Sequence, residues 1–226
     1  MSTLDSNQLK RTSALKIVTS TLGALVGLAG IEHGILELFQ GNVVPTDYTI
    51  DAIGPDQRFW EGAKETAFTI IPNLFLTGIL AIIVGIIVTV WSVKYIDGKY
   101  GSRGFFILNL SLFFVGGGFA PPTTFGIVAT ITATGINKPH NWWKSKLPIS
   151  LQKNLIKLWP SILIGFVLLF VLTVALNIFG WPLVPLFGNI NTAAIIWTLA
   201  FIMIVMMIVA VLTGISYDID RENSEF

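Results

Sequence analysis

The chain has 226 residues, of which 53% are apolar and only 12% charged, with a mean hydropathy of +0.74 and a net charge of +1. So low a charge fraction reads as an integral membrane protein, and a net charge near zero excludes a nucleic-acid footprint. The lack of cysteine excludes disulfides and thiolate chemistry, and two histidines are too few for a histidine-rich metal site, so no metal and no cofactor are expected.

Residues 1–13 read as a polar cytoplasmic tail, followed by a first span at 14–39. Lys10, Arg11 and Lys16 ahead of the apolar run from Ile17 to Ile31 are similar to a secretory leader. The helical pattern nevertheless continues to Phe39 with no small-x-small cleavage site, so the segment is read as an uncleaved span. Its second half carries the chemistry: Glu32, His33, Glu37 and Gln40 stand where ionisable groups are costly and usually face a bundle interior or a wet cavity. At helical spacing, His33, Glu37 and Gln40 share one face, and Glu32 points about 100° away toward a different neighbour. Gly23, Gly27, Gly30 and Gly34 form a stripe beside that face, at the spacing that lets a second helix approach closely.

The loop at 41–66 holds Asp47, Asp51, Asp56, Glu61 and Glu65 against Arg58 and Lys64. It reads as an irregular, solvated acidic face with one short interfacial helix at Arg58–Glu65, anchored by Phe59 and Trp60. A second span is expected at 67–93, kinked in its first turns by Pro72-Asn73. A basic turn from Lys94 to Arg103 follows.

The middle stretch breaks at Gly116-Gly117-Gly118-Phe119-Ala120-Pro121-Pro122, which cannot continue a regular helix. Charge decides between one broken span and a hairpin of two short helices at 105–119 and 123–136. With the N-terminus cytoplasmic, a hairpin leaves twelve of the fourteen basic residues inside; a single crossing leaves six inside and eight outside. The positive-inside rule therefore selects the hairpin. The hydroxyls of Thr123 and Thr124 are expected to cap the second arm, whose positive end would face Glu32, Glu37 or a bound anion.

Residues 137–159 carry five lysines with Trp142, Trp143 and Trp159, and read as a cytoplasmic segment whose part from Pro148 to Trp159 is a basic helix on the headgroups. His140 reads as a surface residue. The last two spans are expected at 160–179 and 192–215, joined by an uncharged proline-broken link, with Asn177 late in the first of them. An acidic cytoplasmic tail covers 216–226.

The fold class is thus an all-α polytopic membrane protein: six hydrophobic helices, four of them full spans plus the short-helix hairpin, with both termini cytoplasmic in a multi-pass protein of the cell membrane. The stretches Glu32-His33-Gly34 to Gln40-Gly41-Asn42, Ile71-Pro72-Asn73 and Gly116–Pro122 resemble a group of prokaryotic multi-pass membrane proteins to which no activity is assigned. The resemblance implies a prokaryotic membrane protein and adds no function. No intramembrane aspartate pair, His-x-x-x-His, Gly-x-Ser-x-Gly or P-loop is present, and an enzyme is not expected.

Two functions stay open. Glu32, His33, Glu37, Gln40, Asn73, Thr123 and Thr124, gathered at the Gly116–Gly118, Pro121 and Pro122 turn, form an outward-facing site for a proton, cation or small polar solute in a small transporter or channel-like protein or subunit. Alternatively they brace helix one to the hairpin in a structural or regulatory subunit. The lipid bilayer is the expected partner, with a small polar solute, proton or cation as a possible ligand, and an oligomer or partner subunit stays open. A cysteine at Ser145 tests the topology, because the chain has none of its own. It should resist an impermeant maleimide in intact cells, and external labelling would overturn the hairpin.

Overall fold

A computed structural model of the chain describes residues 13–180 and 192–224. The expected N-terminal tail up to residue 12, the link at 181–191 and the last two residues lie outside the described residues. The fold is 74% helical with almost no sheet. In chain order it comprises α1 (Ala14–Gln40), β1 (Thr49–Asp51), a 3-10 turn (Pro55–Gln57), β2 (Thr66–Phe68), α2 (Leu74–Lys94), α3 (Gly101–Phe114), α4 (Ala120–Ala133), α5 (Asn141–Lys146), α6 (Ile149–Phe179) and α7 (Thr192–Ser224). Among the described residues, α1, α2, α6 and α7 are long and apolar enough to cross a membrane. The two arms α3 and α4 have 14 residues each, about 21 Å of helix, and fall short of a hydrocarbon core of about 30 Å.

The glycine stripe explains why α1 is central. A Cβ built on Gly34 would lie 2.6 Å from the Gly78 carbonyl oxygen, and one on Gly78 would lie 2.6 Å from that of Gly34. Gly27 and Gly85 repeat the reciprocal contact two turns away, at 2.6 and 2.7 Å. Backbone meets backbone, which only glycine permits on both sides. The other faces of α1 pack on α4 and α7, so 61% of its apolar stretch is buried, against 11% for α7. Phe125 of α4 meets Phe166 and Phe170 of α6 edge-on, with ring centroids 5.4 and 5.6 Å apart, and closes the same core.

Several expected elements differ. The loop has no helix at 58–65; instead Thr49–Asp51 pairs antiparallel with Thr66–Phe68. The Asp51 carboxylate accepts from Glu65 N (2.9 Å), Ile53 N (3.2 Å) and Arg58 Nη2 (3.0 Å), so a side chain satisfies loop donors that a helix would have bonded internally. That pairing also delays the second span, which starts at Leu74 and not at Ala67. Pro72 precedes the helix and does not kink it, and Asn73 is its N-cap, accepting from Leu76 N at 3.0 Å.

The break between α3 and α4 falls at 115–119 as the glycines require, but Pro121 and Pro122 lie inside the first turn of α4. A proline there forfeits no helical hydrogen bond. The basic helix expected at 148–159 is continuous with the following span: α6 runs 31 residues through Pro160. Pro160 removes a single bond, to the carbonyl four residues back, while Leu155 and Leu163 keep the buried face intact across it.

The acidic tail is the end of α7, not a separate segment. Asp218 is fully buried and caps α1, accepting from Ser13 Oγ (2.5 Å), Ala14 N (2.9 Å) and Leu15 N (3.1 Å). His140 is buried, not on the surface, with Nδ1 2.7 Å from Glu222 Oε1, and Lys144 Nζ lies 2.9 Å from the other oxygen. An acidic helix end thus meets the basic segment, a pairing invisible along the chain.

The reciprocal glycine contacts make a clear prediction. Gly34→Val should destabilise the protein by about 3 kcal/mol, because neither backbone can yield. Gly165→Ala, whose methyl would meet only the flexible end of Met206, should be neutral or stabilising by up to about 1 kcal/mol. Thermal unfolding in detergent compares them, and equal losses would refute the close-approach account.

Candidate functional site

The site lies at the Gln40 end of α1. His33 and Glu37 are one turn apart on its buried face, 2% and 0% exposed. The α3–α4 turn is laid over both. Gly116 N donates to Phe68 O (3.0 Å), Ile70 N donates to Phe114 O (3.0 Å), and Val115 forms a bridge with Thr69. The turn is therefore stitched to the strand side of the loop. Gly116 and Gly118 have φ of 88° and 94°, the left-handed region that glycine enters freely. A Cβ on Gly116 would sit 2.6 and 2.8 Å from the two Glu37 oxygens, and one on Gly118 would sit 3.0 Å from His33 Nε2. Bare backbone here is what leaves room for a carboxylate and an imidazole. Gly117, between them, packs against Leu112 instead.

A third wall comes from the loop. Ala52 N donates to Glu65 O (2.7 Å) and Asp51 takes Glu65 N, so the Glu65 backbone is clamped on both sides. Its side chain then bridges two helices. Glu65 Oε1 accepts from Asn177 Nδ2 of α6 (2.6 Å), and Oε2 lies 3.3 Å from His33 Nε2. Trp60 Nε1 donates to Asn177 O (2.9 Å) and Asn177 Nδ2 also reaches Lys64 O (2.9 Å), fixing the α6 end against the loop. Glu32 does not face a separate neighbour: its Oε2 folds back to 3.9 Å from His33 Nε2. The nitrogen of His33 and one oxygen each of Glu32 and Glu65 all lie within 4.8 Å of one another. This is a potential ligand set where no metal site was expected.

Partnering is uneven. Among the described residues, neither Glu37 oxygen has a hydrogen-bond partner, and Glu32 Oε1 and His33 Nδ1 are also buried without one. Beside Glu37, the buried Thr77 Oγ1 is engaged with Thr69 Oγ1 (3.2 Å) and presents only its methyl toward Gly116.

The remaining expected residues stand apart from this pocket. Gln40 Nε2 donates to the carbonyls of Asp51 (2.9 Å) and Ala52 (2.7 Å), which docks the loop on the end of α1. Asn73 is half-buried and pairs with Asn42. Thr123 and Thr124 do not cap α4. Their hydroxyls donate to carbonyls within the helix, Thr123 to Phe119 O (2.7 Å) and Thr124 to Ala120 O (2.6 Å), because in-turn acceptors outcompete donors that lie ahead of them. Pro121 and Pro122 shape the helix start, and Asn109 Nδ2 holds it through Pro122 O (3.0 Å). Sequence reasoning missed Glu65 and Asn177. Glu65 was one of five acids in a loop read as solvated; Asn177 was visible as a polar residue late in an apolar span, the one signal that could have flagged it.

Gly118→Ala places a methyl against His33 at a backbone angle that alanine resists, so it should cost about 1–3 kcal/mol. Gly98→Ala, with ordinary φ and only the Tyr95 carbonyl nearby, should cost far less. Melting temperatures of the two in detergent decide, with equal losses counting against the roofed pocket. No family model matches the chain, and no curated protein or solved structure is significantly similar to it.

Proposed function

We propose that the protein is a small transporter or channel-like protein of the cell membrane, or a subunit of one, that handles a proton or a cation at the Glu32–His33–Glu37–Glu65 pocket. All six hydrophobic helices lie in the membrane, α1, α2, α6 and α7 as full crossings and α3–α4 as a re-entrant hairpin. Both termini are cytoplasmic and the pocket is on the outer side. The short arms and the distribution of lysines and arginines support that placement. The reading includes no catalytic step.

The observation that carries it is Glu37: a fully buried carboxylate in a membrane helix, with no hydrogen bond to either oxygen among the described residues. Desolvating an unpaired carboxylate costs several kcal/mol, so such a group holds a proton or sits against a cation. A residue that exchanges one for the other is the working part of many proton and cation carriers. The second reading, an internal brace, is favoured by the His33–Glu65 approach at 3.3 Å, which ties α1 to the loop.

The two readings separate in reconstituted vesicles loaded with pH- and cation-sensitive dyes. Glu37→Gln keeps the shape of the side chain and removes its charge. It should abolish flux while insertion and melting temperature stay near wild type. A lowered melting temperature with unchanged flux would reject transport in favour of the brace.

A further inference from the structure

We propose that His33, Glu32 and Glu65 form a binding site for a divalent first-row transition-metal ion, Zn2+ being the best fit, with Glu37 as a further carboxylate beneath the same glycine turn. This assignment rests on the reading of the pocket as a ligand site and names the class of ligand.

The donor set is one imidazole nitrogen and two carboxylate oxygens. Ligands about 2.1 Å from a tetrahedral zinc are about 3.4 Å from each other. His33 Nε2 is 3.3 Å from Glu65 Oε2 and 3.9 Å from Glu32 Oε2, so the spacing already brackets that value. An imidazole donor selects against Mg2+ and Ca2+, which take oxygen ligands, and in favour of zinc and its neighbours.

An independent observation points to the same ligand. Glu37 is completely buried one turn from His33 and beneath the same turn, and among the described residues both of its oxygens lack a partner; Glu32 Oε1 lacks one as well. Three carboxylates around one imidazole place more negative charge in a desolvated pocket than a single proton-bearing histidine offsets. A dipositive ion neutralises two of them at once. The surroundings are those of a metal ligand shell. Asn177 Nδ2 holds the non-ligating oxygen of Glu65 at 2.6 Å, and Asp51 with Ala52 fixes the Glu65 backbone, so the loop carboxylate is oriented before any ion arrives. Three protein ligands leave a fourth position open for water.

The test uses the full chain, purified in detergent and stripped with a chelator. Titration with Zn2+ alone should show one ion per chain, and Co2+ alone should give the visible absorption of a four-coordinate nitrogen–oxygen site. Glu65→Gln, which preserves side-chain length, should weaken zinc binding about tenfold or more. Glu61→Gln, in the same acidic loop but outside the pocket, should leave it unchanged. Millimolar-range competition by Mg2+ should fail. Melting curves in zinc-free buffer check that each variant folds, and a zinc-induced rise in melting temperature should be present in the wild type and lost in Glu65→Gln. The assignment is overturned by a wild type that binds no zinc, by Glu65→Gln binding it as well as wild type, or by equal competition from Mg2+. Flux without zinc binding overturns the metal site and leaves transport standing. Zinc binding without flux supports the metal site and removes transport.

Discussion

Burying Glu37 and His33 in an apolar helix is the constraint to which this end of the molecule answers. An ionisable side chain at a bilayer centre costs roughly 2.5–3.5 kcal/mol on insertion scales. The chain meets that cost by enclosure. The Gly116–Gly118 turn covers the two side chains with backbone that carries no Cβ. The β1–β2 pair anchors the turn, and the loop swings Glu65 in from the side. Each of these features would be unfavourable alone: a non-helical turn, a run of three glycines and an acidic loop folded inward. They are mutually satisfying because each supplies the cover or the hydrogen-bond partner that another lacks.

The opposite end of α1 shows how the same chain treats polar groups that only hold it together. Asp218 accepts three hydrogen bonds at the α1 N-terminus, Lys16 Nζ sits 2.6 Å from Asp97 Oδ2, and Glu222 is shared between His140 and Lys144. There Asp218, Asp97 and Glu222 each meet at least one named donor. At the Gln40 end, Glu37 has none, and Glu32 uses one oxygen. One helix therefore carries an end whose named carboxylates are partnered and an end where, among the described residues, Glu37 is not. The contrast supports the proposal that the second is a place where a ligand binds.

Glycine serves two unrelated purposes along α1 and its neighbours. At Gly27, Gly34, Gly78 and Gly85 the missing Cβ lets two helices touch along their backbones, a packing role with ordinary helical torsions. At Gly116 and Gly118 it permits positive φ and clears space over a carboxylate and an imidazole. Small-residue spacing in a membrane sequence marks the first purpose. A glycine run next to proline marks the second.

Local chemistry made the larger part legible in the sequence alone. Apolar runs of sufficient length gave away the membrane helices, the triple glycine marked the break between α3 and α4, and the cost of burying charge singled out Glu32, His33 and Glu37. These follow from properties that a residue carries wherever it sits: side-chain hydration, backbone freedom and helical period. What the tertiary structure decided was pairing at a distance. Only the fold brings Glu65 from its loop to His33 and Asn177 from α6 to Glu65. Only the fold seats Asp218 on the start of α1, turns His140 inward to Glu222, and retires Asn73, Thr123 and Thr124 to their own helix starts. A carboxylate or an amide in a polar stretch has the same local signature whether it faces water or a buried imidazole, because its partner belongs to another segment and enters through packing alone.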